Sequence, residues 1–269
     1  MDGVTDSTRD PSTAKEPEPR LPADPKSAGP LPARVGAPAK RASLLLVGGF
    51  GLLVACLLIF GTIAEGIRAN EVFFLDTLAT PFLHNLASPA LDQVMNDATT
   101  IGSTTVIPAL FVVAVVLLCI TRRFGAALFL AISSGGALLL NALLKDVFHR
   151  PRPQLSYAHV LPDYSFPSGH TMNSVAFYVA IAVIVWSVAG RRWGIAALIA
   201  SIVICTFVGI SRIYLGYHYF TDVVGGALAG TAWVLITIAA FRRGPLERLW
   251  EMPHRPRAVG RAVDPEARP

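Results

Sequence analysis

Six stretches of this chain are apolar, free of charge and about 20 residues long. A helix of that length crosses the hydrocarbon layer of a bilayer, because each residue adds about 1.5 Å to a path of roughly 30 Å. Charged residues form only 15% of the 269 residues, whereas a soluble domain carries about a quarter. The pattern predicts an all-α polytopic membrane protein with six transmembrane helices. The six runs are 42–64, 101–121, 124–144, 171–190, 193–210 and 223–241.

The segment between the first two runs predicts two short helices. Apolar residues recur at helical spacing from Leu75 to Leu86, which makes one face of a helix apolar. Ser88 followed by Pro89 is typical of a cap and the first turn of a second helix. We expect both helices to lie at the membrane interface or to lead into the second span. Packing against the bundle is an equally good interpretation.

Two polar tails flank the predicted membrane domain, which covers residues 42–242. Residues 1–41 contain eight prolines and few large apolar side chains. Such a segment cannot bury enough apolar surface to offset the entropy lost on ordering, so it is predicted to be disordered. Residues 243–269 form a second tail, which is basic and contains prolines.

The basic residues of short loops predict the orientation, because such residues collect on the cytoplasmic side. Four basic pairs fall on one side of a six-span bundle, which places both termini and both tails in the cytoplasm. The pairs are Lys40-Arg41, Arg122-Arg123, Arg191-Arg192 and Arg242-Arg243. The net charge of +5 is thus explained by membrane orientation, and no nucleic-acid partner is expected. Nothing in the sequence identifies a protein partner.

The predicted outer face also carries basic residues, which breaks this pattern and needs a local reason. They lie in "KDVFHRPRPQLSYAHVLPDYSFPSGHT" and "SRIYLGYHYFTDVVGG". In the second segment His218 and Asp222 are four residues apart, so on a helix the carboxylate reaches the imidazole and fixes its tautomer. Gly216 permits a turn that brings Arg212 towards them. In the first segment Ser168 and Gly169 stand at the start of the fourth run, where free N–H groups favour an anion.

These groups together favour phosphoryl transfer. Three cations, Lys145, Arg152 and Arg212, and a helix N-terminus suit a phosphoryl group that carries charge on several oxygens. Two histidines, His170 and His218, can divide the work of nucleophile and proton donor. Carboxylates with metal-ligand spacing are missing from the sequence, so it demands neither a metal nor another cofactor.

Three motifs in this order resemble the signature motifs of the phosphatidic acid phosphatase type 2 / haloperoxidase superfamily. They are Lys145-x6-Arg152-Pro153, Pro167-Ser168-Gly169-His170 and Ser211-Arg212-x5-His218-x3-Asp222. The resemblance covers residues 43–242 and is to the integral-membrane lipid phosphatases of the superfamily. It implies hydrolysis of a lipid phosphate or diphosphate at the outer membrane face, without a metal.

The resemblance also implies a role for each motif residue. His218 is the nucleophile that forms a phosphohistidine, and Asp222 orients and activates it. His170 protonates the leaving group and then activates water. The remaining motif residues hold the phosphate oxygens: Lys145, Arg152, Ser168, Gly169 and Arg212.

Two other functions, transport and non-catalytic lipid binding, are weighed against phosphatase activity. A transporter would carry charges within its spans, and the six runs are uncharged. A non-catalytic lipid-phosphate-binding protein would not need every motif residue.

The substrate stays open among polyprenyl diphosphate, phosphatidylglycerol phosphate and phosphatidic acid. Outside the fixed motif positions, His149 and Arg150 are expected to be solvated or lipid-facing. His159 and Asp163 are expected to be solvated, with contact to a lipid head group as the alternative. The aromatic residues of the last outer segment are expected to form an interfacial belt, with a gate for the lipid chain as the alternative: Tyr214, Tyr217, Tyr219 and Phe220.

Overall fold

The computed structural model describes residues 37–155, 157–158 and 161–243, and the side chains of 47–155, 157–158 and 161–241. Residues 1–36, the tail 244–269, His159 and the side chains of the first and last basic pairs lie outside these residues. Disorder was predicted for residues 1–41, and for residues 37–41 this is wrong, because they belong to the first helix. The described part of the chain folds into eight helices. They are α1 (Ala37–Arg68), α2 (Phe74–His84), α3 (Pro89–Ile101), α4 (Val106–Ile120), α5 (Phe124–Phe148), α6 (Gly169–Ala189), α7 (Arg191–Tyr214) and α8 (Phe220–Arg243).

Five of the six predicted spans are single helices long and apolar enough to cross a membrane, namely those in α1, α5, α6, α7 and α8. The predicted second span, 101–121, is wrong as a single helix. The chain breaks between Ile101 and Val106, and α4 alone has 15 residues, or roughly 22 Å. The break has a local cause, because Ser103 Oγ accepts a hydrogen bond from the N–H of Val106 at 3.1 Å and starts a new helix. Together α3 and α4 form a sixth, broken span bent by 44°.

The two short helices lie where the sequence predicts them. Ser88 caps α3 by accepting a hydrogen bond from the N–H of Leu91 at 3.3 Å, and Pro89 occupies the first turn. Both helices contact the bundle, α3 through α7 and α2 through α7 and α8. The apolar face of α2 points outwards, with Leu78 half exposed, while the buried residues of this helix are Asp76 and Thr80. An apolar face turned to lipid and a polar face turned to protein suit a helix at the membrane interface.

Helix α6 is the centre of the bundle and packs against α5, α7 and α8. Glycines on α8 let this helix approach α6 closely. A Cβ atom at Gly226 would lie 2.6 Å from the carbonyl oxygen of Ser168, and one at Gly230 would lie 2.8 Å from that of Met172. Small residues commonly let membrane helices approach in this way. The close approach brings the N-termini of α6 and α8 together, and the N–H of Ser168 donates to the carbonyl of Asp222 at 2.9 Å.

Candidate active site

The turn between α7 and α8 places an imidazole beside a carboxylate. Gly216 has a φ of +73°, a left-handed conformation that favours glycine, and it reverses the chain as predicted. His218 precedes α8 rather than sharing its helix with Asp222, yet its Nδ1 lies 3.4 Å from Asp222 Oδ2. This separation is longer than an ordinary hydrogen bond. Asp222 Oδ2 also accepts from the N–H of Tyr219 at 2.9 Å, so the carboxylate caps the helix that follows His218.

His218 is buried and neutral. Only 1% of it is exposed, and burial lowers its pKa to about 4, although Asp222 opposes the shift. Its Nε2 lies 3.1 Å from Arg152 Nη1. A guanidinium can only donate, so Nε2 must be the acceptor and the ring proton must sit on Nδ1, facing Asp222. The lone pair on Nε2 is therefore directed at the cationic side of the site.

Two of the predicted phosphate-binding cations hold one carboxylate of the loop before α6. Arg152 Nη2 donates to Asp163 Oδ1 at 2.7 Å, and Lys145 Nζ pairs with Oδ2 of the same carboxylate. Asp163 is solvent-exposed as expected, with 51% of its side chain accessible, but the sequence did not indicate that it pairs with these two cations. Burial alone would raise the pKa of Asp163, but the hydrogen bonds from Lys145 and Arg152 outweigh that effect and lower it.

Arg212 is the third predicted cation, and it is 4% exposed. Its Nη1 donates to Thr99 Oγ1 at 2.8 Å, and its guanidinium carbon lies 4.2 Å from the centre of the Tyr217 ring. Its Nε has no hydrogen-bond partner among the described residues. A buried guanidinium with an unused donor and no carboxylate contact is free to bind an anion.

The N-terminus of α6 completes the cluster. Ser168 is the N-cap residue and is fully buried, and Gly169 begins the helix beside Asn141, whose Oδ1 would lie 2.9 Å from a Cβ atom there. His170, in the first turn, interacts electrostatically with Arg212, His218, Arg152 and Lys145. The eight site residues predicted from the motifs thus lie in one cluster.

Arg150 was expected to be solvated or lipid-facing, and this prediction is wrong. Its Nη1 donates to Asp222 Oδ1 at 2.5 Å and its Nη2 to Asp76 Oδ2 at 2.7 Å. Its side chain is only 13% exposed. The sequence did offer a signal for the role of Arg150. Like Arg152, it is an arginine of the outer "RPRP" segment and breaks the positive-inside pattern. His149, by contrast, is exposed as expected.

The aromatic residues near the turn also differ from the expected interfacial belt. Tyr214 is 3% exposed, and its hydroxyl donates to Asp92 Oδ1 at 2.5 Å. Tyr217 and Tyr219 are half-buried beneath the guanidinium groups of Arg212 and Arg150. Two of these rings thus pack against site arginines, and Tyr214 anchors α7 to α3.

A cavity of about 310 Å³ opens beside His170. It is bounded by the break before α4, by α4, α5 and the start of α6, and most of its surface is apolar. Its lining residues include Ile107, Phe111, Gly135, Leu138, Gly169 and His170. Among the residues that the structure describes, no three His, Cys, Asp or Glu side chains are arranged to hold a metal ion.

Comparison with known proteins agrees with this arrangement. The model of the PAP2 superfamily matches residues 124–244. Phosphatidylglycerophosphatase B of Bacillus subtilis (strain 168) is 32% identical over 180 residues, which cover 66% of this chain and 88% of that protein. Undecaprenyl-diphosphatase BcrC of the same organism is 30% identical over 145 residues, 52% of this chain and 69% of that protein.

A solved structure extends the likeness to the fold. The crystal structure of a transmembrane PAP2 type phosphatidylglycerolphosphate phosphatase from Bacillus subtilis superposes with a TM-score of 0.65 at 29% identity. The match covers 70% of this chain and 94% of that one. With three ordered motifs gathered at one end of a helical bundle, this chain belongs to the PAP2 superfamily and is a membrane lipid phosphatase of that family.

Proposed function

We propose that this protein removes phosphate from a membrane lipid phosphate or diphosphate through a phosphohistidine on His218. The observation that carries the proposal is the environment of that imidazole. Its protonated Nδ1 faces Asp222, while its Nε2 faces Arg152 at 3.1 Å. A nucleophile oriented by a carboxylate and aimed at a phosphate-binding cation has the arrangement that covalent phosphoryl transfer requires.

In the first step Nε2 of His218 attacks phosphorus. A substrate phosphate that enters between Lys145, Arg152 and Arg212 offers its oxygens to Arg152 Nη1, and this releases the lone pair on Nε2. The P–N bond forms as the P–O bond to the lipid breaks, and His170 gives its proton to the departing oxygen. The imidazole becomes cationic, and Asp222 stabilises that charge.

In the second step the phosphohistidine is hydrolysed. His170 has lost its proton and now takes one from a water molecule, whose oxygen attacks phosphorus. The P–N bond breaks, its electron pair returns to Nε2, and inorganic phosphate leaves. Three cations and the N-terminus of α6 stabilise the charge on the transferred group in both steps, so no step requires a metal ion.

The cavity beside His170 supports an apolar leaving group. His170, the proton donor of the first step, lies between the cationic cluster and this cavity. The cavity is lined by Ile107, Phe111 and Leu138. Leu138 is 59% exposed, so the cavity opens on the outer surface of α5, where lipid surrounds a membrane helix. The hydrocarbon attached to the leaving oxygen would occupy this space.

The names of the relatives support a substrate from the phosphatidylglycerol phosphate or polyprenyl diphosphate class, with phosphatidic acid as the third candidate. The basic pairs Arg122-Arg123 and Arg191-Arg192 flank the starts of α5 and α7, while the site lies at the far ends of these helices. By the positive-inside rule the site faces the non-cytoplasmic side and both termini are cytoplasmic.

The test is phosphate release from each of the three lipids by purified protein in excess EDTA. The wild type should release phosphate from at least one of them, and His218→Ala should not, while the exposed control His149→Ala keeps its activity. Full activity of His218→Ala would exclude the proposed nucleophile. Binding of the lipids without release by the wild type would favour a non-catalytic lipid-binding protein instead.

A trapping experiment addresses the intermediate. With a 32P-labelled nitrophenyl phosphate, whose leaving group departs without a proton, His170→Ala should accumulate an acid-labile phosphoprotein, because the first step no longer needs an acid and the second step lacks its base. The double variant His170→Ala/His218→Ala should show none. Labelling of the double variant would place the phosphoryl group on another residue.

A further inference from the structure

We infer that Arg150 and Asp76 are positioning residues that hold Asp222, and through it His218, in the reacting geometry. The inference rests on the proposed phosphohistidine mechanism, in which Asp222 orients the nucleophile. Neither residue occupies a fixed position of the three motifs: Arg150 is one of the six variable residues of the first motif, and Asp76 lies on α2, upstream of the segment that the family model matches.

Arg150 fixes the orientation of the Asp222 carboxylate. Asp222 is fully buried, and each of its side-chain oxygens has a separate task. Oδ1 accepts from Arg150 Nη1 at 2.5 Å, while Oδ2 faces Tyr219 N at 2.9 Å and His218 Nδ1 at 3.4 Å. If Oδ1 lost its partner, the carboxylate could rotate away from the imidazole. The guanidinium also compensates the negative charge of Asp222, which burial would otherwise penalise.

Asp76 holds Arg150 and the first turn of α8 at the same time. Its Oδ2 accepts from Arg150 Nη2 at 2.7 Å and from the hydroxyl of Thr221 at 2.6 Å, and its Oδ1 accepts from the N–H of Thr221 at 2.8 Å. Thr221 lies in the first turn of α8, so Asp76 caps that helix from α2 and places a negative charge at its N-terminus. Asp222 is the next residue along the chain.

The guanidinium of Arg150 has further contacts. Its Nη1 also donates to the Thr221 hydroxyl at 2.8 Å, and the group lies 4.3 Å from the centre of the Tyr219 ring. Burial alone would lower the pKa of Arg150, but Asp222 and Asp76 outweigh that effect and raise it. Arg150 therefore stays charged and links α2 to the Asp222–His218 pair.

The test separates positioning from substrate binding. In Arg150→Gln and Asp76→Asn we expect kcat to fall by about 100-fold, the effect of a small displacement of a reacting group. KM should stay within about twofold, because Lys145, Arg152 and Arg212 are untouched. Arg150→Lys should recover part of the loss, because it restores the charge next to Asp222 but not the planar fork that also reaches Asp76. The exposed control Arg68→Gln should keep both constants.

A double variant tests whether the two residues act through one contact. Because part of the effect of Asp76 passes through Arg150 and part through the cap on Thr221, Arg150→Gln/Asp76→Asn should lose clearly less activity than the product of the two single losses. Independent losses that multiply would overturn the inference, as would a wild-type kcat in either single variant whose melting temperature in detergent is unchanged. If Arg150→Gln does not fold, Arg150→Lys and Asp76→Asn carry the test.

His218→Ala is assayed in parallel, because it separates this inference from the mechanism on which it rests. An active His218→Ala would refute the proposed nucleophile. An inactive His218→Ala beside an unimpaired Arg150→Gln would refute only the positioning role.

Discussion

Asp163 occupies the place where the substrate phosphate should bind. Its two carboxylate oxygens contact Lys145 and Arg152, the cations proposed to hold phosphate oxygens. A substrate must displace this carboxylate before it can bind both cations. Asp163→Asn removes the competing charge and keeps the size of the side chain, so we expect it to tighten substrate binding.

The size of the effect follows from the exposure of the pairs. The side chain of Asp163 is 51% exposed, so water screens its attraction to the cations, and such pairs are worth at most about 1 kcal/mol each. Two pairs would oppose the substrate by about 1.5 kcal/mol, or about tenfold in affinity. We expect KM to fall by about tenfold in Asp163→Asn and kcat to stay unchanged, because Asp163 contacts neither histidine.

The assay is steady-state phosphate release from a lipid substrate in mixed micelles, together with inhibition by inorganic phosphate. The inhibition constant for phosphate should fall in parallel with KM, because both anions compete with the same carboxylate. Asp163→Glu keeps the charge and serves as the matched control. A rise in KM for Asp163→Asn would refute the reasoning, since it would mean that Asp163 orients the two cations instead of competing for them.

Two further predictions concern the cavity and the buried imidazole. A Cβ atom at Gly135 would meet nothing within 4 Å, so Gly135→Leu should partly fill the cavity and raise KM for a long-chain lipid by about tenfold, but not for a soluble phosphate ester. Gly135→Ala is the control, and equal effects on both substrates would exclude a lipid site. Because burial lowers the pKa of His218 to about 4, the unfolded chain takes up a proton on this histidine as the pH falls through about 6.5, while the folded protein is still unprotonated there at pH 5. The free energy of unfolding should therefore fall by about 2 kcal/mol between pH 7 and pH 5. His218→Gln should remove this pH dependence, and the exposed control His149→Gln should keep it. An unchanged pH dependence in His218→Gln would contradict the prediction.

The membrane helices could be predicted from the sequence because length and apolarity are local properties. The second span shows the limit of such reasoning. Hydropathy averaged over residues 101–121 hides the polar segment at Ser103, where a side chain caps a new helix and breaks the span. The cap of α3 at Ser88 was predictable, since the serine is followed directly by proline and an apolar helical pattern.

The motif residues could be predicted because their spacing is fixed, but their supporting residues could not. Arg150 and Asp163 lie in an outer loop, where a charged side chain is usually solvated. Asp76 is 74 residues from Arg150 along the chain, and only the packing of α2 against α8 brings the two together. The apolar residues that recur from Leu75 to Leu86 did indicate which face of α2 is polar. They did not indicate that this polar face packs against the protein.

The charges of the cluster explain why a phosphate, rather than a carboxylate of the chain, is its proper occupant. Leaving the histidines aside, four cationic side chains face three carboxylates, so the cluster holds one excess positive charge. Within the part of the chain that the structure describes, Arg212 is the one cation of the cluster that contacts no carboxylate. When Asp163 moves away, the excess rises to two, which matches the charge of about −1.5 to −2 on a phosphomonoester. Asp76 and Asp222 pair with Arg150 and not with the phosphate-binding cations, so a substrate that replaces Asp163 can neutralise the cluster without competing for the carboxylate that orients His218.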